Sequence, residues 1–363
     1  MSLLYYIALT QVVGIGSITA RKLLKLYEKP ENIFNEKKSS LLKIPLITYK
    51  VLDSLKSKEI LIKAEKEIKF TQKYDIDVIT IDNDNYPYRL KQIPDAPLVI
   101  YVKGDIDLNP LKSIAVVGTR KATEYGKDIT KKIVKGLKSS SAHIVSGLAY
   151  GIDSVSHKSA LENNLLTVAV LGHGLDIIYP DRNRDLAKLI IEKGGALITE
   201  YCSETNPDRE NFPKRNRIIA GLSDAIVVVE ANMKGGALIT AELAFSYSRD
   251  VFAVPGRAID TYSQGCNWLI KTNKAGLISS AEDIFYGMNW DLPDQKKEKK
   301  QKELLLSDDE EVLYKLIQQH GNPTMDFIYN QSGYSLNKTA TILLNMELMG
   351  VIKSLPGKMF GVK

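Results

Sequence analysis

Six short apolar runs, each separated from the next by a segment long enough for a helix, constrain this chain more than any other feature. "SIAVVG", "HIVSG", "LTVAVLG", "GALITE", "DAIVVVEA" and "DVFAVPG" are nearly continuous in apolar residues, and most end in Gly or another small residue. Strands buried on both faces read this way, and helical patterns fill the gaps at Tyr125 to Leu137, Ile152 to Glu162, Arg184 to Glu192 and Ala237 to Tyr247. The rhythm predicts an α/β fold, a Rossmann-like doubly wound parallel sheet over residues 66 to 290. Ligands of such sheets sit beyond the carboxyl ends of the strands, so the loops after these runs are where function is sought.

The flanks differ in kind. Residues 1 to 65 show helical spacing, with Leu23, Leu24 and Tyr27 on one face and a second pattern from Ile44 to Leu55, which predicts a small all-helical domain. Gly14 and Gly16 precede a helix carrying Arg21 and Lys22, and the stretch resembles a helix-hairpin-helix or SAM-like domain. Its turn either aims backbone N–H groups at a phosphate or merely lets two helices approach closely. "DLPDQKKEKKQKE", residues 291 to 303, has nothing with which to build a core and is expected to be a charged linker. Residues 304 to 363 match a winged-helix domain, with helices at Met325 to Gln331 and from Ser335, and a hairpin around Pro356 and Gly357. Its second helix offers only Lys338, and the domain carries 5 Lys/Arg against 6 Asp/Glu, which favours contact with protein over the reading of a DNA groove.

Charge placement says more than the total. The 363-residue chain has a net charge of +6, yet residues 1 to 65 alone carry 11 Lys/Arg against 6 Asp/Glu. Cys202 and Cys266 are the only cysteines and form no CxxC pair, so neither a disulfide scaffold nor a cysteine zinc site is expected, and a reducing cytoplasm is the simplest compartment. The apolar start lacks a basic leading segment, and no run approaches the ~20 apolar residues of a spanning helix, so no membrane association is expected. A P-loop is absent, and Gly172 and Gly174 lack the third glycine of a dinucleotide site, so no cofactor is expected.

At the first strand end, Gly118 permits a sharp exit, Thr119 supplies a hydroxyl and Arg120 projects near a helix start, a set suited to one phosphate. The second offers Ser146 and Gly147, then Gly151, with Asp153 and His157 one helical turn apart; lacking an evident triad partner, His157 is expected to brace the loop. Arg182 and Arg184 follow Pro180 and extend a positive rim. The segment "NFPKRNR" sets Phe212 beside Lys214, Arg215, Asn216 and Arg217 just before an apolar run, an arrangement that fits a polyanion with stackable bases. Gly235 and Gly236 open a helix carrying Thr240 and Glu242.

Taken in order, "GTR", "SGLAYGID" with His157 four after its Asp, "TVAVLGHGLDIIYP", "FPKRNRIIAGLSDAIVVVEA", "GALITAELA" and "VFAVPG" resemble the DNA-processing protein A family, also called DprA or Smf, over most of residues 80 to 285. The resemblance implies a protein without a catalytic centre or metal that binds incoming single-stranded DNA during natural transformation, protects it and loads the recombinase RecA. It also implies a homodimer formed through the Rossmann domain and a basic pocket at the strand ends, with Arg120 and the cations Lys214, Arg215 and Arg217 lining it beside Phe212. This chain has Gly235 where related sequences keep Ser, and Ser248 before Arg249 where many have Gly. A competing expectation is a nucleotide phosphoribohydrolase-like enzyme, because "KGGALITAE" is similar to a motif of that class and Glu242 would act on the ribosyl bond.

Overall fold

The computed structural model describes residues 2–291, 306–355 and 357–362; most of the expected charged linker lies outside them. The chain divides into two units, Met1–Asp294 and Gln295–Lys363.

Six helices open the first unit: α1 (Ser2–Thr10), α2 (Ser17–Tyr27), α3 (Pro30–Asn35), α4 (Lys38–Leu41), α5 (Tyr49–Leu55) and α6 (Lys58–Lys73). Two turns within them have the same backbone. Ile15 N–H donates to Val12 O and Ile47 N–H to Ile44 O, both at 3.1 Å. Gly14 and Leu46 both take positive φ, +89° and +84°, while Gly16 and Thr48 are the extended N-caps of α2 and α5. Gly14 suits its turn, since a Cβ there would come within 2.9 Å of Val51 on α5. Leu46 holds the equivalent conformation with a side chain, which is strained. The core of these helices is continuous with that of the sheet, and the boundary expected at residue 65 falls inside α6.

The remaining elements alternate: β1 (Asp77–Thr80), α7 (Tyr88–Gln92), β2 (Val99–Lys103), β3 (Ser113–Val117), α8 (Glu124–Gly136), β4 (His143–Ser146), α9 (Ile152–Glu162), β5 (Thr167–Val170), α10 (Arg184–Glu192) and β6 (Ala196–Thr199). Then follow α11 (Asn211–Gly221), β7 (Ala225–Val228), α12 (Gly236–Ser246), β8 (Asp250–Ala253), α13 (Gln264–Lys271), β9 (Gly276–Leu277) and α14 (Ala281–Gly287). All six apolar runs become strands, and the four helices read from the gaps become α8, α9, α10 and α12.

Strand parity sets the layers. Ala115 and Val117 point to one side of the sheet with Ile226 and Val228, against Ile218 and Ile219 of α11 and Leu238 of α12. Ile114 and Val116 point to the other with Ala225 and Val227, against Ile133 of α8, Ile152 of α9 and Phe285 of α14. Both faces are dry, which is why these runs do not alternate with polar residues.

The strand order is β1-β2-β6-β5-β4-β3-β7-β8-β9. Pairing is parallel from β6 to β9 along that order, but β2 runs antiparallel to both β1 and β6. The sheet is therefore mostly rather than wholly parallel. An antiparallel edge pair needs no crossover helix, so β1 and β2 carry none of the alternating signal that marks the other strands. From β3 the chain winds outward to β6, returns, and places β7 on the other side of β3. The switch point lies between β3 and β7.

The second unit contains α15 (Asp308–His320), α16 (Met325–Ser332), α17 (Leu336–Leu348) and the antiparallel pair β10 (Ile352–Leu355) and β11 (Met359–Val362). Leu313, Ile317, Ile328, Leu343 and Met346 form its core. Lys338, at the start of α17, is 2.7 Å from Asp309 and lies over the Tyr334 ring.

Candidate nucleic-acid interface

A cleft of about 800 Å³ opens at the carboxyl ends of β3 and β7, where the topology of a doubly wound sheet places a ligand. Gly118, Thr119 and Arg120 line one wall, and the start of α12 at Gly235 and Gly236 lines another. Gly118 is required by packing, because a Cβ would land on Ile152 of α9. Thr119 is tied through its backbone, its N–H donating to Glu230 O at 2.7 Å and its carbonyl accepting from Ile152 N–H at 3.2 Å. That frame aims Arg120 outward. Its guanidinium sits 5.3 Å from the centroid of Phe212, and Phe212 in turn lies 5.7 Å from Tyr179, which is 44% exposed. A cation over one ring beside a second exposed ring is a surface on which bases stack and phosphates pair. No side chain caps α12, so its opening turn presents donors and the positive end of its dipole at the cleft.

The "FPKRNR" segment is the first turns of α11, and helical geometry divides its cations. At about 100° per residue, Phe212, Arg215, Asn216 and Ile219 share one face and line this cleft, whereas Lys214 and Arg217 fall on the other. A single trough formed by all three cations is therefore corrected. Arg217 is only 11% exposed; it pairs with Glu200, donates to Asp95 O at 2.6 Å and contacts Ser17 Oγ. It ties α11 to the segments that follow α7 and β6 and touches the start of α2. Lys214 is exposed, 3.9 Å from Glu210. Both border a second cleft of about 760 Å³ beside the start of α2. Arg21 does not serve that cleft as a phosphate ligand, for its guanidinium donates to Ile93 O and Pro94 O.

Other expected ligands turn out to be struts. Ser146 is fully buried and its hydroxyl donates to Val116 O at 2.7 Å, which removes it as an anion ligand. Gly147 makes room for Arg215, since a Cβ would strike the guanidinium. Arg215 is 4% exposed and reaches under the loop after β4 to donate through Nη1 to Gly147 O and Val170 O. Burial lowers its pKa to about 10, against the attraction of Asp153, so it stays charged near neutrality. Asp153 accepts from the N–H groups of Gly147 and Ala149, and burial raises its pKa. His157 is fully buried, its Nδ1 is 2.7 Å from Thr167 Oγ1, and burial drives its pKa down to about 3. It is a neutral brace. Asn216 donates to Gly236 O at 3.3 Å and joins α11 to α12.

Arg182 is exposed on the turn before α10 but does not line the cleft. Glu242 also lies off the cleft, exposed and 3.6 Å from Lys274, so it is not placed to attack a ribosyl bond there. Three participants were missed: Tyr179 and the exposed cations Arg209 and Lys234. Their signal was position, since Arg209 and Lys234 lie two residues before α11 and α12, in the loops that follow β6 and β7.

Fold and site together define a doubly wound α/β protein with a basic, aromatic-lined cleft at its topological switch point. Residues 77–289 match the family model described as DNA recombination-mediator protein A, and the chain belongs to that family. It is 36% identical over 326 residues to protein Smf of Synechocystis, spanning 88% of this chain and 80% of the relative. The DNA processing protein DprA of Streptococcus pneumoniae is 42% identical over 205 residues, 56% of this chain and 72% of that protein. The X-ray structure of DprA from Streptococcus pneumoniae superposes with a TM-score of 0.64 at 32% identity, covering 79% of this chain and 98% of the other. DNA processing protein A from Helicobacter pylori, solved for its single-stranded DNA binding mode, gives 0.53 at 28% identity over 60% of this chain and 96% of its own.

Proposed function

We propose that this protein is a single-stranded DNA-binding recombination mediator that receives incoming strands during natural transformation, protects them and loads RecA, acting in the cytoplasm without a catalytic step. The observation that carries the reading is the cleft itself: Arg120 over Phe212, next to Tyr179, with Arg209 and Lys234 at the rim. Among the described residues none of these three cations forms an ion pair, so each is available to a phosphate. Aromatic faces accept any base, and rim cations bind the backbone by counterion release, which together give strong, salt-sensitive and sequence-tolerant binding. The single-strand binding of the Helicobacter pylori relative favours the same ligand.

Around that core we assign a homodimer through the Rossmann domain, a helix-hairpin-helix or SAM-like N-terminal region formed by α1 to α6, and a winged-helix domain over residues 304 to 363. The paired turns at Val12–Gly16 and Ile44–Thr48 support the second assignment, and the three helices followed by a strand pair support the third. With Lys338 held by Asp309, the winged-helix domain is the protein-contact module rather than a groove reader. The function is tested by asking whether the purified protein speeds RecA assembly on single strands already coated by a single-strand-binding protein. Acceleration that is lost in Arg120→Ala supports it; no acceleration by the wild type refutes the loading role.

A further inference from the structure

Arg215 is a buried charge whose hydrogen-bonding capacity is only partly used. Its side chain is almost wholly buried at the floor of the cleft, yet among the described residues it donates only through Nη1, and its Nε–H has no acceptor. It also forms no ion pair there; Asp153 acts on it from beyond ion-pair distance and spends its own Oδ2 on two backbone amides. A buried guanidinium left this way is costly unless an anion completes it. The uncapped start of α12, an 11-residue helix, lines the same cavity at Gly235 and Gly236, as do Thr119 and Asn216. Two independent sources of positive potential thus line one cleft together with the rim cations.

We infer that the floor of the cleft is a seat for one phosphate monoester, supplied by the terminal phosphate of a strand or by a free nucleoside monophosphate. The inference rests on the single-strand reading of the cleft and makes it specific. Narrowness selects the monoester. Arg215 shares a narrow recess with Arg120, Tyr179 and Phe212, and a phosphate bearing one substituent can enter such a recess end-on. A phosphodiester has two substituents, both of which must leave by the mouth. A monoester also carries more negative charge near neutrality, with its second ionisation near pH 6, and so answers the buried charge better.

The test is calorimetric titration of the full chain, at constant ionic strength, with a short oligothymidylate bearing a 5′-phosphate, a 3′-phosphate or only hydroxyl ends, and separately with dTMP and thymidine. A phosphorylated end is expected to tighten binding about tenfold, the scale of one charge-assisted contact. Preference for a phosphorylated end without dTMP binding identifies the strand terminus as the source, and saturable dTMP binding with none by thymidine identifies the free nucleotide. Arg215→Lys is expected to abolish either preference. Because that variant risks misfolding, inorganic phosphate is added to the wild type as a competitor, and it is expected to erase the preference while leaving the hydroxyl-ended strand's affinity in place. Equal affinities for all three strand ends, together with no dTMP binding, overturn the seat but leave the strand-binding reading standing. Failure of every strand to bind overturns both.

Discussion

Arg217 and Arg120 look interchangeable in the sequence, and the structure assigns them opposite roles, which one pair of substitutions separates. Arg217→Ala removes a side chain that is 11% exposed and leaves Glu200, itself 15% exposed, without its cation. Breaking a buried pair costs roughly 3–5 kcal/mol, and the remaining solvent contact here argues for about 3. Glu200 sharpens the test. Burial already raises its pKa, and Arg217 is the group that opposes this rise. Without Arg217 the folded-state pKa climbs further above the unfolded value, so the folded form takes up a proton first and recovers stability as pH falls towards that unfolded value. The defect should therefore be smaller at pH 5 than at pH 8. Arg120→Ala, by contrast, removes an exposed side chain and should change unfolding free energy by less than about 0.5 kcal/mol. Its effect falls on binding: losing one phosphate contact lowers the single-strand salt slope by about 0.7, or roughly 2.6-fold in relative affinity between 50 and 200 mM salt. Urea denaturation at both pH values and strand titrations across salt read the two quantities. An Arg217→Ala protein of unchanged stability but reduced slope would refute the division of α11 into two faces.

Phe212→Ala should weaken single-strand binding by about 1–3 kcal/mol while leaving the salt slope nearly unchanged, because stacking releases no counterions. Fluorescence anisotropy at two salt concentrations checks this. His157 has a folded-state pKa near 3, below its unfolded value, so its neutral form supports the fold fully above about pH 6.5 and that support fades towards pH 3. At pH 5 the loss is about 2 kcal/mol, and His157→Gln should flatten this part of the stability profile relative to the wild type. Gly118→Ala should cost about 1–3 kcal/mol in chemical denaturation, since its methyl would overlap Ile152. Leu46→Gly should stabilise by about 0.5–1 kcal/mol by relieving the positive φ of an exposed leucine.

The sheet was legible because its strands are buried on both sides, and continuous apolar runs such as Ala225–Val228 have few other uses. The cleft's first wall was legible for the same reason, since Gly118 to Arg120 follow a strand whose end could be placed to the residue. The β1–β2 pair was not, as nothing in its composition signals an antiparallel edge. The cations of "FPKRNR" failed differently. Composition shows that Lys214, Arg215 and Arg217 are adjacent, but only the helical path of α11 sends Arg215 to the floor of one cleft and Arg217 into an ion pair beside another. Ser146 is a similar case: one residue before the loop it still belongs to β4, so its hydroxyl turns inward to Val116 O. Residue type marked the neighbourhood, and backbone direction decided the role.

The central claim, that an unpaired strand lies in the cleft between β3 and β7, is tested most directly by single-strand titrations of wild type, Arg120→Ala/Lys234→Ala and Lys214→Ala across a range of salt, with duplex DNA of the same length alongside. The account predicts preference for the single strand, a slope lowered by about 1.4 in the double variant, and little change in Lys214→Ala. An unchanged slope in the folded double variant, with the loss appearing in Lys214→Ala instead, would move the strand to the other side of α11 and contradict the account.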